Sequence, residues 1–464
     1  METWVPDLQG HSGPRYRVIA DVLQHDIVSG KLPAGQRLPT HRDLAWKLGV
    51  TVGTVTRAYV EAERRGLISG EVGRGTYVRP LTPDYPYRPR ERMYRERGNF
   101  VDLTGNEPPP PPLAQRIGKI LGEVGADPDI GNLLGYRPSQ GLFHHREAGA
   151  AWIARFGVDV PPEQVIPTHG AQQAMLLACA AVLRAGDTLL TEHLTFFGIK
   201  SVARVLGLRV HGVDMDEEGI VPDALDAAIR ATGAKAIYLV PTMQNPTNVN
   251  LSDERRRAVA EICRKHGVAV IEDDILAFLM DKPLTPIAAY LPELTLYVTN
   301  LSKSVAPALR VGYLACPPAL VDSALVAMRA SSVMASPLLQ EAASRLIENG
   351  TAWENALLVR EEQRERQKMA RQILSPYEMV SLDTSFHTWL RLPEPWRREA
   401  FFAEAQRRGV GIAAADVFAT GRQAVPHAAR ISTSAAATRA ELKHGLDILA
   451  DILASEDHRN LPVI

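Results

Sequence analysis

One lysine, Lys303, lies between two short apolar runs in the stretch 294–316, and its neighbours are small or apolar. A lysine in such surroundings loses solvation, which lowers its pKa and makes its amine a nucleophile toward aldehydes. Arg310, seven residues later, can bind a phosphate through its bidentate guanidinium. Together they suggest pyridoxal 5′-phosphate (PLP) as the ligand, although a buried lysine in a polar loop would fit the same stretch.

Other residues suited to such a ligand follow strand-like runs in the same part of the chain. Asp273 follows the most apolar of these runs, where a carboxylate needs a cationic partner such as a protonated pyridine nitrogen. Asn245 can hydrogen-bond a phenolic oxygen, although Asn-Pro is also a common turn. Phe196 can stack on a flat ring or belong to the core. Arg430 lies in an apolar run and suits a substrate carboxylate.

A possible phosphate site lies in the segment 168–174, which joins a strand-like run to a helical one. Gly170, Ala171 and Gln172 would expose backbone N–H groups at the start of that helix, which favours an anion. A glycine before a helix is usually only a turn, so the prediction depends on its place among the other residues.

The pattern of residues 113–464 predicts a scaffold that brings these residues together. Strand-like runs alternate with helical stretches, which predicts an α/β body with a mostly parallel sheet covered on both faces. Ligands of such sheets bind beyond the carboxyl ends of the strands, where the residues above fall. Strands are predicted at 165–168, 188–192, 210–214, 236–241, 268–272, 295–299 and 311–316, with helices at 172–183, 199–206, 222–232 and 253–266.

Composition limits the class of protein. The chain has 464 residues, too many for one ordinary core, with 45% apolar and 23% charged residues and a net charge of −1. Residues 1–100 hold sixteen Lys and Arg against eleven Asp and Glu, and this basic front fits nucleic-acid contact. Three widely spaced cysteines predict a cytoplasmic protein without a metal site. The first ten residues do not resemble a signal peptide, and no apolar run is long enough to span a membrane.

Residues 12–80 have the pattern of a winged helix-turn-helix. Apolar residues recur at helical spacing, Thr40 can cap the second helix, and Gly49 ends it. Thr51, Thr54 and Arg57 would face outward from the third helix, which in this motif enters the major groove. Helices are predicted at 16–28, 42–48 and about 52–65, and a wing at 67–78 with Arg74 near its tip.

The run 38–50 (LPTHRDLAWKLGV), followed by 54–59 (TVTRAY) and 66–78 (GLI…GRGTYV), resembles the winged helix of GntR-type regulators. The resemblance implies DNA contacts from Arg42, Thr51, Thr54, Arg57, Arg74 and Gly75. The family often has an arginine where this chain has Val52, so a base contact is lost or replaced by an apolar contact with a thymine methyl. A helical bundle that binds protein is the alternative.

A linker is predicted between the two parts. In residues 81–112, prolines alternate with tyrosines and five arginines before a run of five prolines, which is typical of a semi-extended spacer. The chain therefore divides into 12–80, 81–112 and 113–464, the last with a large subdomain of about 113–318 and a small one of about 319–464.

Residues from about 100 to 464 resemble the class I, fold type I aminotransferases. The resemblance implies that the PLP ring is held by Lys303, which forms the Schiff base, and by Asp273, Asn245 and Phe196. It implies that the phosphate is bound by Gly170, Ala171, Gln172, Ser302 and Arg310. Arg430 would bind an amino-acid carboxylate. Tyr136 matches the tyrosine that reaches the neighbouring subunit's phosphate, which implies a homodimer.

A winged helix joined to such a body resembles the MocR subfamily of GntR regulators, which are PLP-dependent transcription factors. Two departures from the aminotransferase pattern bear on catalysis. Leu276 replaces a tyrosine that donates to the phenolic oxygen, so we expect the Schiff base to keep its proton to a higher pH. Asn300 replaces a serine at the phosphate. Both indicate cofactor binding with weak or absent turnover.

The sequence therefore favours a PLP-binding transcriptional regulator whose body senses PLP or a small amino compound. A working aminotransferase is the first alternative, with Lys303 moving a proton at the substrate's Cα. A dimerisation scaffold without cofactor is the second.

Overall fold

The computed structural model describes residues 4–8, 13–28, 31–32, 36–64, 67–71, 75–78, 100–394, 396, 398–421 and 424–455. They belong to two compact units, Met1–Pro83 and Asp84–Ile464, and each unit is described by itself. In the described ranges, no helix combines the length and the apolar composition needed to cross a bilayer.

The first unit has three helices followed by a two-stranded hairpin, as predicted. The middle helix begins after Thr40, whose hydroxyl accepts from Asp43 N at 3.2 Å, and ends at Gly49 with a φ of 63°. The inner face predicted for the third helix is buried at Val55, Ala58, Tyr59 and Ala62. The elements are α1 (Arg15–Val28), α2 (His41–Leu48), α3 (Val52–Arg64), β1 (Ile68–Glu71) and β2 (Gly75–Val78).

Two features of this unit lie outside the predicted pattern. Trp4 belongs to its core, and its Nε1 donates to Asp26 Oδ2 at 2.8 Å. The stretch 36–38 runs antiparallel to β2, with backbone hydrogen bonds of 2.8 and 2.9 Å. Periodicity does not reveal either feature, because both depend on contacts distant in sequence. Arg74 and residues 81–99 of the predicted linker lie outside the described residues.

The second unit is built on a seven-stranded sheet. The first ten strands of this unit, seven of which form the large sheet, are β3 (Val101–Asp102), β4 (Val165–Thr168), β5 (Thr188–Glu192), β6 (Arg209–Val213), β7 (Met215–Asp216), β8 (Gly219–Ile220), β9 (Ala236–Leu239), β10 (Ala269–Asp273), β11 (Thr295–Asn300) and β12 (Gly312–Ala315). The order in the large sheet is β4-β12-β11-β10-β9-β5-β6. Only β12 is antiparallel to its neighbours, so the mostly parallel sheet is confirmed.

Helices cover this sheet, and local sequence sets their ends. Ser252 caps one helix by accepting from Arg255 N at 3.2 Å, and Gly267 ends it with a φ of 66°. The helices are α4 (Ala114–Gly125), α5 (Gly131–Leu134), α6 (Phe143–Ala154), α7 (Ala171–Val182), α8 (Phe197–Val205), α9 (Pro222–Thr232), α10 (Asp253–His266), α11 (Ile287–Tyr290), α12 (Pro318–Ser331), α13 (Pro337–Glu348), α14 (Thr351–Ile373), α15 (Arg398–Arg407) and α16 (Arg439–Ala454).

A smaller antiparallel sheet follows in the chain. Its order is β13 (Met379–Val380), β14 (Thr388–Arg391), β17 (Ala428–Ile431) and β16 (Ala413–Ala414). A separate strand, β15 (Val410–Gly411), pairs in parallel with β3. Residues 100–112, assigned by the sequence to the linker, therefore pack with the body. A two-residue strand beside a proline-rich run leaves no periodicity to detect.

The division of the body also differs from the predicted one. Ala324, Leu325 and Met328 of α12 pack in one core with Met175 and Ala178 of α7. Helix α13 packs in the core on the other side of the large sheet. Residues 319–348 therefore pack with the large sheet, although the sequence placed them in the small subdomain.

Candidate functional site

The carboxyl ends of four parallel strands bring polar residues to one edge of the large sheet. Glu192, Asp273 and Asn300 end β5, β10 and β11. Asn245 lies beyond the end of β9, and Lys303 lies in the loop that follows β11. The predicted residues thus belong to separate segments of the chain but lie in one region of the structure.

Lys303 lies among charged side chains in this cleft. Burial, with a smaller effect from the positive charges of Arg430 and Arg310, lowers the pKa of its amine to about 8. The carboxylates of Glu107 and Asp273 act in the opposite direction. An amine with this pKa is neutral in a useful fraction of molecules near pH 7, as an attack on an aldehyde requires.

Asp273 is buried, with 2% of its surface exposed. The Tyr238 hydroxyl donates to Oδ2 at 2.6 Å, whereas Oδ1 has no hydrogen-bond partner among the described residues. Burial raises the pKa of Asp273 to about 6, and the Tyr238 hydrogen bond and the Lys303 charge limit that rise. A buried carboxylate with one oxygen unused fits the N–H of a pyridinium ring.

A cradle for an anion forms where the turn before α7 meets the loop after β11. Gly170 has a φ of 86°, a conformation that favours glycine. Arg310 is also left-handed, with a φ of 51°, and its Nη2 donates to His169 O at 2.9 Å. A Cβ on Gly170 would lie 3.0 Å from the same Nη2. The guanidinium therefore lies beside the start of α7, where the N–H groups of Ala171 and Gln172 begin the helix.

The loop that carries Lys303 contains a second group suited to a phosphate. Ser302 Oγ is buried and has no partner in the described part of the chain. The Ser302 N–H donates to Asn300 Oδ1 at 3.0 Å, so Asn300 braces this loop. Leu276, by contrast, packs in the hydrophobic core with Met243 and Phe278. Its position supplies no hydroxyl to a ligand.

Phe196 and Gln172 lie together at the start of α8. Gln172 Nε2 donates to Gly198 O at 2.9 Å. A Cβ on Gly198 would collide with the Phe196 ring and with Gln172 Oε1. Phe196 itself is partly buried and packs against Phe197, with ring centroids 4.9 Å apart. Position 198 must therefore be glycine for the Phe196 ring to lie where it does.

Arg430 and Asn245 form a pair deep in the cleft. Arg430 Nη1 donates to Asn245 Oδ1 at 2.7 Å, which orients the amide so that its NH₂ group stays available as a donor. Arg430 also donates to Thr104 O and lies 4.8 Å above the Phe418 ring. Burial lowers the pKa of Arg430 to about 9, and its Nε has no partner among the described residues. A buried, partly unsatisfied guanidinium suits a ligand carboxylate.

The sequence did not predict several residues that line the cleft. Tyr238 lies in β9, where its apolar neighbours indicated only a buried strand. Asn106 accepts from Lys303 Nζ through its carbonyl, and Thr104 accepts from Arg430. Both belong to the stretch assigned to the linker, and backbone acceptors leave no pattern in side-chain types.

Tyr136 lies on the surface, with 84% of its area exposed. Its segment is near the anion cradle, because Arg137 N donates to Met334 Sδ at 3.0 Å and His169 Nε2 lies 3.2 Å from Met334 O. An exposed tyrosine in this place is available to another subunit.

The predicted DNA-contacting residues of the first unit lie at its surface. Arg42, Thr51 and Arg57 are exposed, and Thr54 is partly exposed. Thr51 Oγ1 accepts from Thr54 N at 3.2 Å, which caps α3. Val52, at the position where the family often has arginine, is 45% exposed. The start of α3 therefore offers hydroxyls, a methyl-bearing side chain and a guanidinium.

Arg37, a residue that the sequence did not single out, lies beside the wing and is exposed. It contacts Gly75, which has a φ of 121°, and a Cβ on Gly75 would lie 2.8 Å from Arg37 Nε. Its guanidinium thus covers Gly75 and adds positive charge beside the wing, where phosphates are commonly contacted.

The cleft as a whole fits PLP. It contains a desolvated amine, an unused carboxylate oxygen, an unused buried hydroxyl and an anion cradle, and each matches a different part of that molecule. The two orphaned oxygens, Asp273 Oδ1 and Ser302 Oγ, are the strongest observation. Buried polar atoms without partners are costly unless a ligand satisfies them.

Comparison with known proteins agrees with both units. Residues 99–449 match the family "Aminotransferase class I and II", and residues 15–78 match "Bacterial regulatory proteins, gntR family". The uncharacterised HTH-type transcriptional regulator YdeF of Bacillus subtilis strain 168 is 28% identical over 451 residues, which cover 97% of each chain.

Two further proteins are similar to parts of the chain. The vitamin B6 salvage pathway transcriptional repressor PtsJ of Salmonella typhimurium strain LT2 is 29% identical over 332 residues, covering 70% of this chain and 72% of PtsJ. The crystal structure of an archaeal alanine:glyoxylate aminotransferase superposes with a TM-score of 0.74 at 23% identity. It covers 86% of this chain and 99% of that enzyme, and it establishes a shared fold.

Proposed function

We propose that the body of this protein senses PLP or a small amino compound and thereby changes how the first unit binds DNA. The proposal starts from the family: the chain belongs to the aminotransferase class I and II family and carries a GntR-type winged helix. This combination is that of the MocR-type transcription regulators. The cofactor of the body is PLP. When bound, PLP supplies an aldehyde that reacts with amines and a ring that accepts electron density.

The roles of the cleft residues in holding this cofactor follow from their chemistry. Lys303 is the amine that attaches to the aldehyde, and Asp273 keeps a proton on the ring nitrogen. Asn245 donates to the phenolic oxygen, and Phe196 covers one face of the ring. The phosphate is held by Gly170, Ala171, Gln172, Ser302 and Arg310.

The effector is proposed to be an amino compound with a carboxylate. Arg430 is buried with an unused Nε, which suits such a group. The observation that carries sensing over catalysis is Leu276, a core side chain where a phenol would otherwise help release a proton. An effector acts through its different affinities for two arrangements of the protein, so coupling of 5- to 150-fold, about 1–3 kcal/mol, is expected.

The regulator is proposed to act as a homodimer in the cytoplasm. Tyr136 is 84% exposed, and the nearby apolar side chains of Leu134 and Val333 are 66% and 47% exposed. Apolar surface beside a ligand cleft favours an interface with a second subunit. Tyr136 would then reach the phosphate of the neighbouring subunit, and the two winged helices would bind paired half-sites on DNA.

The experiment is gel retardation of DNA from the protein's own upstream region at fixed salt. The full chain is tested without PLP, with PLP, and with PLP plus amino acids one at a time. We expect the apparent Kd for DNA to change at least about fivefold on loading. Lys303→Ala should remove this change, and Arg57→Ala should weaken DNA binding with and without PLP.

Loading is checked by borohydride reduction and mass spectrometry. If PLP is trapped on Lys303 while DNA affinity stays the same in every condition, the sensing role is wrong. If the loaded protein then converts an amino donor and a keto acid, the aminotransferase alternative is favoured. The Lys303 amine and the Asp273 carboxylate, both present in this chain, are the groups that such a reaction would use.

A further inference from the structure

Two histidines and a glutamate converge between helices α6 and α13, in a cluster separate from the residues assigned to the cofactor. His144 Nε2 and His145 Nε2 lie 2.8 and 3.1 Å from the same oxygen, Oε2 of Glu341. The imidazole centroids are 4.2 Å apart. The ligand atoms of the three residues all lie within 4.8 Å of one another.

The rest of the cluster holds the glutamate in place. Arg345 Nε donates to the other glutamate oxygen, Oε1, at 2.7 Å. Arg345 also pairs through Nη2 with Asp127 Oδ2. One guanidinium thus pairs with two carboxylates, Asp127 and Glu341, which leaves one negative charge unmatched beside the histidines. Hydrogen bonds that orient a ligating carboxylate are typical of metal sites.

We propose that His144, His145 and Glu341 bind a divalent transition-metal ion, with zinc the preferred one. Imidazole and carboxylate are the ligands that such ions take, and three protein ligands with an open fourth position are common. Donor atoms about 2.0–2.2 Å from a tetrahedral ion are about 3.3 Å from one another. The two separations from Glu341 Oε2, 2.8 and 3.1 Å, need to open by a few tenths of an ångström. The two imidazole nitrogens lie within 4.8 Å of each other, so rotation of the half-exposed His144 ring would complete the site.

Solvent can supply the fourth ligand. The His144 side chain is 49% exposed, whereas that of His145 is 1% exposed, so the site opens on one side only. The residue before Glu341 connects the site to the wall of the cofactor cleft, because Gln340 Nε2 donates to Thr168 O at 3.3 Å. A bound ion would join α6 to α13 and raise the thermal stability of the body.

The test is zinc binding by the untagged, PLP-loaded full chain after treatment with a chelator. Isothermal titration with zinc chloride should give one ion per chain. His144→Ala removes a half-exposed ligand, and Glu341→Gln removes the charge but keeps the shape. Both should weaken zinc binding at least about tenfold and abolish the rise in Tm that zinc causes. His211→Ala, at an exposed histidine on β6, is the matched control.

Cobalt provides an independent readout. Co²⁺ in place of zinc should give visible d–d absorption typical of a tetrahedral site in the wild type and in His211→Ala, and not in His144→Ala. The proposal is overturned if the wild type binds zinc no more tightly than His144→Ala. It is also overturned if His211→Ala weakens binding as much as the two ligand variants do.

Discussion

The surface of the first unit that we propose contacts DNA (the DNA-contacting surface) and the cofactor cleft of the second unit differ in how their residues are assembled. The proposed DNA contacts Arg42, Thr51, Thr54 and Arg57 come from α2 and from the start of α3, close together in the chain, and are at least partly exposed. Cleft residues such as Asp273 and Arg430 come from strands far apart in the chain, and both are buried. A substitution on the surface removes one contact. A substitution in the cleft also changes the desolvation and the protonation of its neighbours.

The largest effect is expected from Asp273→Asn, which removes the charge assigned to the ring nitrogen. Loss of a charge-assisted hydrogen bond worth about 1.5–3 kcal/mol should weaken PLP binding about 10- to 150-fold. Spectroscopic titration with PLP measures this loss. An unchanged affinity would show that Asp273 does not face the ring nitrogen.

The same variant tests the cost of burying this carboxylate. The pKa of Asp273 rises from 3.8 to about 6 on folding, so the ionised group costs stability that develops between pH 4 and pH 6 and is complete above pH 6. The shift corresponds to about 3 kcal/mol. Asp273→Asn should therefore change the stability of the PLP-free protein more favourably at pH 7.5 than at pH 4.5. Denaturant unfolding without PLP at both pH values checks the sign.

Arg57→Ala tests the opposite behaviour of the DNA-contacting surface. Loss of one base or phosphate contact, about 1–3 kcal/mol, should weaken DNA binding about 5- to 150-fold. Affinity for PLP should stay the same. The free energy of unfolding should fall by about 1 kcal/mol or less, because the Arg57 guanidinium lies 5.0 Å from the centroid of the Tyr16 ring. Arg15→Ala, which removes the same charge from α1, is the control for a general electrostatic effect. A large loss of stability in Arg57→Ala would break the comparison.

The rate at which PLP attaches should reveal the cleft's effect on Lys303. With a pKa of about 8, the neutral amine fraction rises about tenfold per pH unit below pH 8 and levels off above it. An ordinary lysine would still be rising at pH 9. Stopped-flow growth of the visible band measures the profile. Glu107→Gln should move the plateau to lower pH, because the Glu107 carboxylate raises the pKa of Lys303.

A smaller effect is expected from Tyr238→Phe. The variant removes the 2.6 Å hydrogen bond to Asp273, which helps to lower the pKa of that carboxyl. The pKa of Asp273 should rise, PLP affinity near pH 6 should fall about three- to tenfold, and stability should fall by about 1 kcal/mol. The readout is the pH profile of PLP affinity. A purely structural defect would lower the affinity by the same factor at every pH and leave the midpoint of the profile unchanged.

Leu276→Tyr is expected to shift the titration of the bound cofactor, whereas the variants above weaken or slow a binding step. A phenol near the cofactor's oxygen should lower the pH midpoint of the visible band by about one unit, equal to about 1.4 kcal/mol. Because Leu276 is buried in the core, the larger ring should also cost about 1–3 kcal/mol of stability. Identical titration curves in the two proteins would refute a role for this position in proton release.

Much of the architecture is predictable because it depends on local patterns. The sequence predicts the three helices of the first unit and the seven strands of the large sheet to within a few residues, because apolar spacing marks these elements and Thr40 and Gly49 set the ends of α2. The partial exposure of Thr54 and the exposure of Arg57 follow from helical periodicity alone. The order of the cleft residues along the chain also indicated their ligand, because most of them lie at or just after the end of a strand.

Other features depend on contacts that no local pattern records. Tyr238 acts on Asp273 only because β9 and β10 are neighbours in the sheet. The stretch that contains Thr104 and Asn106 reaches the cleft through backbone carbonyls, which every residue type possesses. Glu341 joins His144 and His145 across 196 residues or more, so a sequence that predicted no metal site could not reveal their convergence.

The sequence by itself determined which elements form and which side chains could hold PLP and contact DNA, because periodicity, caps and residue chemistry act over short distances. Only the tertiary structure decided which of those side chains are desolvated, which oxygens remain without partners and which distant residues share a site. Those properties arise from burial and from packing between segments far apart in the chain.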